Sequence, residues 1–330
     1  MVGTHNYRGA LGDVTVDSAN TRGTGVNVNA TTLGTNSYNN GAFSTITGAY
    51  SIASGNYAGG RNTLSASKNF GATITGSLNS VESATASSNY SGIANSVVGT
   101  ANRTFNSNGS LIFGAGNEIT NSVTTINAPT SAGSSAKALQ DTLMSSIKSS
   151  ASGGSTLAIG GGNKADYTLR TAIIGVNNTV TGTSSDVSQQ NYVTGYNNTA
   201  TNVDDVTIVG TNRTVSNAAN SVVIGSADSV MTSSASDAVT IGRNANTTVD
   251  GGVALGSSSV ASVDKGALGY NPGIEELTDA EKASATWTST LAAVSVGDSA
   301  NNLTRQITNV AAGTNDTDAV NVAQLKANKV

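Results

Sequence analysis

Short runs of apolar residues that end in glycine recur along most of the chain. In each run a few mostly apolar residues precede the glycine, and a polar turn that often contains asparagine follows it. The clean spacings between successive glycines are 15 residues, with 17, 14 and 13 toward the carboxyl end. A fixed short period of this kind is typical of a repeat architecture. The clearest copies are Leu111–Gly114, Leu157–Gly160, Ala172–Gly175, Thr207–Gly210, Val222–Gly225, Val239–Gly242 and Val253–Gly256.

A period of 13 to 17 residues is too short to hold two helices. It suits two strands of about five residues joined by tight turns, in which glycine and asparagine tolerate positive φ. Coils of this kind stack at a strand spacing of about 4.8 Å into a parallel β-solenoid. The sequence therefore predicts an all-β fold, a β-roll that occupies most of the chain.

Two apolar columns precede the glycines, and they point to opposite faces of the strand. We expect the residue immediately before the glycine to fill the interior of the roll. The residue two places before it would then face outward, and because this column is also apolar, other copies of the chain are predicted to cover it. The alternative is a monomer that buries both faces. The predicted trimer-interface residues of this column are Val97, Ile112, Ile173, Val193, Ile208 and Val223.

The repeat lapses between about 120 and 155. Within this stretch, Ala136, Leu139, Leu143, Met144 and Ile147 recur at helical spacing after Ser135, which predicts an amphipathic helix with a serine N-cap. The excursion is either a protruding contact surface or a lid packed on the solenoid. The spacing alone favours neither.

The repeat ends near residue 271, and a different pattern follows. Thr278 and Glu281 match a capping box at the start of a helix. Trp287, the only tryptophan, is expected at a junction between segments or subunits. Farther on, the cluster Asp316–Asp318 predicts a helix cap, and the helix after it carries an apolar seam through Val322 and Leu325, which we assign to the trimer interface.

The composition of the chain argues against several classes of function. The 330 residues include 38 glycines, 11% charged and 4% aromatic residues, which does not suit an ordinary α/β or helical core. There is no cysteine, the single histidine has no partner motif, and the net charge of −4 argues against a nucleic-acid surface. The adjacent acids Asp204 and Asp205 face opposite ways on a strand and do not make a hydrolase pair. We predict no cofactor, no metal and no enzymatic activity.

The carboxyl-terminal segment Arg305–Lys326 (RQITNVAAGTNDTDAVNVAQLK) closely resembles the neck of trimeric autotransporter adhesins. The glycine-ended runs resemble the YadA-like head of that family, and the segment from Trp287 to Gly297 resembles the insert between head and neck. The resemblance implies a homotrimer of left-handed parallel β-rolls. It divides the chain into a head (1–270, with the excursion at about 120–155), a head insert (271–300) and a neck that begins a coiled-coil stalk (301–330).

The family implies a head on the bacterial cell surface that attaches to host cells, extracellular matrix or other bacteria by multivalent, non-catalytic binding. Tyr38, Tyr50 and Tyr57 are candidate ligand contacts, because tyrosine offers a large contact area at low entropic cost. They pack along the roll in the alternative interpretation. An export signal and an outer-membrane anchor are expected outside this sequence. A phage or viral trimeric fibre and a carbohydrate-active β-helix enzyme are the alternative functions, and the neck argues against the fibre.

Overall fold

A computed structural model describes residues 2–3, 30–39, 41, 43–55, 69–83, 91–129, 135–150, 155–273 and 275–327. The chain forms two compact units, unit 1 (1–211) and unit 2 (212–330). The described residues are mostly short parallel strands with few helices, which confirms the all-β solenoid prediction. The predicted divisions at 270 and 300 stay predictions.

The described residues of unit 1 form alternating short strands, and helix α1 (Ala136–Ser149) lies between the tenth and eleventh of them. Its strands are β1 (Thr31–Thr35), β2 (Tyr38–Asn39), β3 (Thr45–Ala49), β4 (Ile52–Gly55), β5 (Thr73–Ser77), β6 (Ser80–Ser83), β7 (Ser96–Thr100), β8 (Arg103–Phe105), β9 (Leu111–Ala115), β10 (Glu118–Thr120), β11 (Thr156–Gly161), β12 (Lys164–Asp166), β13 (Thr168–Leu169), β14 (Thr171–Val176), β15 (Thr179–Thr181), β16 (Ser188–Gln189), β17 (Tyr192–Tyr196), β18 (Thr199–Asp204) and β19 (Thr207–Thr211).

These strands stack into two parallel sheets. Sheet 1 of unit 1 has the order β1-β3-β5-β7-β9-β11-β14-β17-β19, and sheet 2 has the order β2-β4-β6-β8-β10-β12-β15-β18-β16-β13. Equivalent repeat positions lie side by side: Gly114 of β9 pairs with Gly99 of β7 and with Gly160 of β11. Most coils therefore contribute one strand to each sheet, which confirms the two-strand coil predicted from the period.

The repeated glycine is required by a close approach between neighbouring coils. At Gly114, φ is 141°, and a Cβ atom there would lie 1.8 Å from the carbonyl oxygen of Gly160. No side chain fits at that distance. The glycine column is thus set by contact between adjacent strands as well as by turn geometry.

A buried asparagine ladder follows the glycine column. Asn117 donates from its backbone N to Oδ1 of Asn102 (3.0 Å) and from Nδ2 to the carbonyl oxygen of Gly160 (2.8 Å). The same pattern repeats from coil to coil, so each side chain satisfies polar groups of the coils on both sides. The members of the ladder are Asn79, Asn102, Asn117, Asn163, Asn178 and Asn198.

The two apolar columns are the reverse of the prediction. The column two places before the glycine is buried inside the roll of a single chain, so its members do not form a subunit interface. It shares the inner side of the strand with the glycine, because residues i and i+2 of a strand point the same way. The roll is narrow and admits one such side chain per strand. The residues that this correction concerns are Val97, Ile112, Ile173, Val193 and Ile208, all 0% exposed, and Val223, 5% exposed.

Helix α1 begins directly after the predicted Ser135 cap and contains the predicted apolar positions. The Ser135 side chain accepts a hydrogen bond from the backbone N of Ala138 (3.1 Å), which confirms the serine N-cap. Leu139, Leu143 and Ile147 of α1 pack on a small apolar cluster of the roll. The buried members of this cluster are Phe70, Ile93 and Ile126.

Unit 2 continues the alternation with shorter strands. One of its sheets has the order β21-β23-β25-β27, and the pairs β20-β22 and β24-β26 are also parallel. Helix α2 carries the predicted capping box, with hydrogen bonds in both directions between Thr278 and Glu281. The elements are β20 (Arg213–Ala219), β21 (Val222–Ile224), β22 (Met231–Ser233), β23 (Val239–Ile241), β24 (Asn246–Thr247), β25 (Val253–Leu255), β26 (Val260–Ala261), α2 (Asp279–Lys282), β27 (Val294–Ser295), a 3₁₀ turn (Ser299–Asn301) and α3 (Val322–Ala327).

Candidate interaction surface

The outer face of sheet 1 in unit 1 carries in-register rows of side chains that the roll does not bury. One row stands immediately before the glycines, and a second row stands two residues earlier. From β9 to β14 these two rows are entirely apolar. Phe113 is 57% exposed and Leu111 is 38% exposed. The other members of this apolar section, Leu157, Ile159, Ala172 and Ile174, are half-buried by one another.

Unit 2 presents an equivalent apolar row. Ile224, Ile241 and Leu255 stand immediately before the glycines of their coils and pair in register across β21, β23 and β25. They are 41%, 40% and 38% exposed, although their neighbours Val223 and Ala254 are buried. A contiguous exposed apolar row of this kind is typical of an interaction site.

One side of α1 packs on the roll, and a groove lies between α1 and residues 127–129. Ser146 of α1 accepts a hydrogen bond from the backbone N of Asn127 (3.0 Å) and donates one to the carbonyl oxygen of the same residue (2.9 Å). These bonds and the apolar cluster hold α1 against the roll, as the lid interpretation requires. The groove, about 690 Å³ and wide open, is lined by Asn127, Ala128, Pro129, Asp141, Thr142, Ser145, Ser146 and Ser149.

Sheet 2 carries an ionic clamp on unit 1. Arg103 binds Glu82 at 3.0 Å and Glu118 at 2.8 Å, and its guanidinium lies 5.1 Å from the centre of the Phe105 ring. The hydrogen bond to Glu82 is the largest influence that raises the pKa of Arg103, ahead of that to Glu118. The three charged residues come from three successive strands, so the clamp ties neighbouring coils together.

In unit 2 an arginine stands where the repeat has its asparagine. Arg213 is buried, and its guanidinium donates to the carbonyl oxygens of Gly225 (2.6 Å), Ala245 (2.7 Å) and Gly242 (2.9 Å). Burial lowers the pKa of Arg213. A second arginine, Arg305, binds the carbonyl oxygens of Ser257 and Val296. Both arginines bind backbone groups of the coils, which is a structural role.

The residues around α3 form a compact hydrogen-bonded turn. Asn321 Oδ1 accepts from the backbone N of Gln324 (3.0 Å), and Gln324 Oε1 accepts from the backbone N of Asn321 (3.2 Å), which makes a reciprocal helix cap. Asp318 accepts from the backbone N of Thr314 and of Asn315, both at 2.9 Å. The cap predicted at 316–318 therefore lies too early, because Asn321 caps the helix and Asp318 closes the preceding turn.

The described residues contain no cluster of three or more groups that could hold a metal ion. Among the helices described, none is long and apolar enough to cross a membrane.

Comparison with known proteins finds similarity over parts of the chain. Residues 306–328 match the model of the coiled stalk of trimeric autotransporter adhesins. The chain is also 60% identical over 75 residues to the autotransporter adhesin BadA of Bartonella henselae, which is 23% of this chain and 2% of that protein. Over these matched parts, the chain is similar to trimeric autotransporter adhesins. The trimeric autotransporter adhesin AtaA of Acinetobacter sp. (strain Tol 5) is 51% identical over 70 residues, 21% of this chain and 2% of that protein.

The stalk match at residues 306–328 includes the hydrogen-bonded turn around α3. It contains Asp318, which closes a turn, and Asn321 and Gln324, which cap α3. Val322 and Leu325 of α3 are 65% and 67% exposed, and Trp287 is half-buried. Their assignment to the trimer interface stays a prediction. The chain spans about 2% of the length of the relatives it matches.

The three tyrosines predicted as ligand contacts differ in their exposure. Tyr38 is 6% exposed, so its prediction was wrong: the start of β2 turns this ring into the packed structure. Tyr50 is 58% exposed at a corner between β3 and β4. Tyr57 lies outside the described residues. Tyr50 remains the one of the three that the structure leaves accessible.

Proposed function

We propose that the chain is the adhesive head, head insert and neck of a homotrimer on the bacterial cell surface. The apolar outer face of sheet 1 carries this proposal. Three copies would cover the rows that include Phe113 and Ile174 in unit 1 and Ile224 in unit 2. The trimer would bind host cells, extracellular matrix or other bacteria through several weak contacts at once, without catalysis.

Three features support the trimer. The two outward rows of sheet 1 are apolar over three successive strands, and Leu, Ile and Phe side chains each gain about 1.5–3 kcal/mol from full burial. The two relatives are adhesins of the autotransporter class. Residues 306–328 match a coiled stalk, and a stalk of this kind would hold the three copies parallel.

Solution mass tests the assembly first. Light scattering over a dilution series should give three times the 32.7 kDa chain mass. A monomer that persists after fusion to a trimeric coiled coil at the carboxyl end would contradict the proposal, because the fusion supplies any missing stalk.

Adhesion tests the function. Beads coated with the trimer should attach to immobilised matrix proteins, to epithelial cells or to bacteria that carry the same head. Beads with an equal density of the Ile174→Asp chain are the matched control, because they present the same surface without assembly. Equal attachment of both bead types would refute multivalent binding by the trimer, and attachment to none of the targets would refute the adhesive role.

A further inference from the structure

The outer face of sheet 1 changes its chemistry along unit 1. In β1, β3 and β5 the two outward rows consist almost entirely of threonine, and in β9, β11 and β14 they are apolar. Strand β7, with Ser96 and Val98, separates the two parts. The threonine section consists of Thr31, Thr45, Thr47, Thr73 and Thr75, and the apolar member of its two rows is Leu33, which is 50% exposed. The apolar section consists of Leu111, Phe113, Leu157, Ile159, Ala172 and Ile174.

Both sections belong to the same two rows. Thr45 pairs with Thr31 and Thr73, and the row continues through Ser96 to Leu111. The second row runs in the same way from the threonines of β3 and β5 through Val98 and Phe113 into Ile159. Whatever covers the apolar section therefore meets the threonine section on the same sheet face, and we take that partner to be the other copies of the chain.

The threonine section carries hydroxyl groups that need water or a hydrogen bond, and the apolar section does not. Four of its five threonines are exposed and Thr45 is half-buried. Within the described part of the chain, none of the five hydroxyls makes a side-chain hydrogen bond. A hydroxyl that is buried without a partner destabilises an interface, so these rows must keep water or bond across the interface. Excluding water from the apolar section stabilises the interface, and excluding water from the threonine section stabilises it little.

We propose that the apolar section joins the three copies and that the threonine section is a hydrated, weakly cohesive part of the same interface, which opens reversibly while the apolar section stays closed. This inference rests on the proposed trimer. It gives the amino-terminal coils of unit 1 a mobility relative to the partner copies that the middle coils lack. In this proposal the hydroxyls of Thr47 and Thr75 weaken the contact between the copies at these coils.

Hydrogen exchange of the intact trimer tests the inference. Amides of β1, β3 and β5 should exchange at least tenfold faster than those of β9, β11 and β14. The double variant Thr47→Val with Thr75→Val keeps side-chain shape and removes two hydroxyls per copy. It should slow exchange in β1, β3 and β5 about tenfold, because the face can then exclude water. The matched control is Thr179→Val with Thr199→Val on the outer face of sheet 2, which should leave these rates unchanged.

The outcomes separate this inference from the proposed function. A trimer in which the threonine and apolar sections exchange equally slowly would overturn the inference and leave the adhesin head standing. A trimer in which the valine pair has no more effect than the sheet 2 control would also overturn it, since the threonines would then lie outside the interface. A monomeric mass, measured before exchange, would overturn both.

Discussion

Asn163 and Asn117 are 46 residues apart in the chain and adjacent in the ladder. The backbone N and Nδ2 of Asn163 donate to Oδ1 of Asn117 at 3.1 and 2.9 Å. The whole excursion with α1 leaves the roll after one of these residues and returns before the other. The ladder is therefore continuous across the insertion, and the regular coils determine the packing while the excursion is added to their outside.

Asn117→Ala should destabilise unit 1 strongly. The change leaves the carbonyl oxygen of Gly160 and the backbone N of Asn163 buried without their side-chain partner. Each buried group of this kind costs about 1–3 kcal/mol, so we expect a loss of about 2–5 kcal/mol in urea unfolding. Thr199→Ala, a half-exposed position on sheet 2, is the control and should change the free energy of unfolding by less than about 1 kcal/mol. Equal effects of the two substitutions would contradict the role of the ladder.

Gly114→Ala and Gly162→Ala distinguish two reasons for a glycine: close contact between neighbouring coils, and a backbone with positive φ. Both glycines have positive φ, 141° and 64°, but a Cβ at Gly114 would lie 1.8 Å from a carbonyl oxygen, and one at Gly162 would meet nothing within 4 Å. Gly162→Ala should cost about 1–2 kcal/mol from the left-handed backbone alone. Gly114→Ala must displace a strand, and we expect it to prevent folding of unit 1 as measured by circular dichroism. A folded Gly114→Ala protein with similar stability would show that the coils can separate there.

Ile173→Asp and Ile174→Asp test the two faces of one strand. Ile173 is 0% exposed inside the roll, so a carboxylate there should unfold unit 1. Ile174 lies on the outer face, and its replacement should leave a folded monomer. Circular dichroism and light scattering together distinguish the results. A folded, trimeric Ile174→Asp protein would show that the outer face of sheet 1 does not form the interface.

The sequence predicts local structure well because the signals are local. Ser135 with Leu139 and Leu143 predicts α1, and Thr278 with Glu281 predicts the capping box of α2; both are confirmed. Each depends on residues within one or two turns of helix. The coil of two strands also follows from the period alone.

Which face of a strand turns inward does not follow from the period, because both columns are apolar. The repeated glycine is the signal that decides the face. Gly114 lies in close contact with the next coil, and Ile112, two residues earlier, points to the same side of the strand and is therefore buried inside the roll. The ladder had a visible signal too, since Asn117 stands three residues after that glycine, but a turn explains asparagine equally well. Asn321 and Gln324 match a capping box that overlaps the Asp316–Asp318 cluster, and spacing alone does not choose between two overlapping caps.

Acid should loosen the neck turn through Asp318. Hydrogen bonds from the backbone N of Asn315, and then of Thr314, lower the pKa of Asp318 below its ordinary value of 3.8. A depressed folded-state pKa means that the contribution to stability is present above the ordinary value and is lost as pH falls through the folded-state pKa. We expect the amide resonances of Thr314 and Asn315 to shift together below about pH 4. Asp318→Asn should abolish this transition, while Asp316→Asn, at a carboxylate without a side-chain hydrogen bond among the described residues, should preserve it. A transition that survives Asp318→Asn would assign the titration to another group.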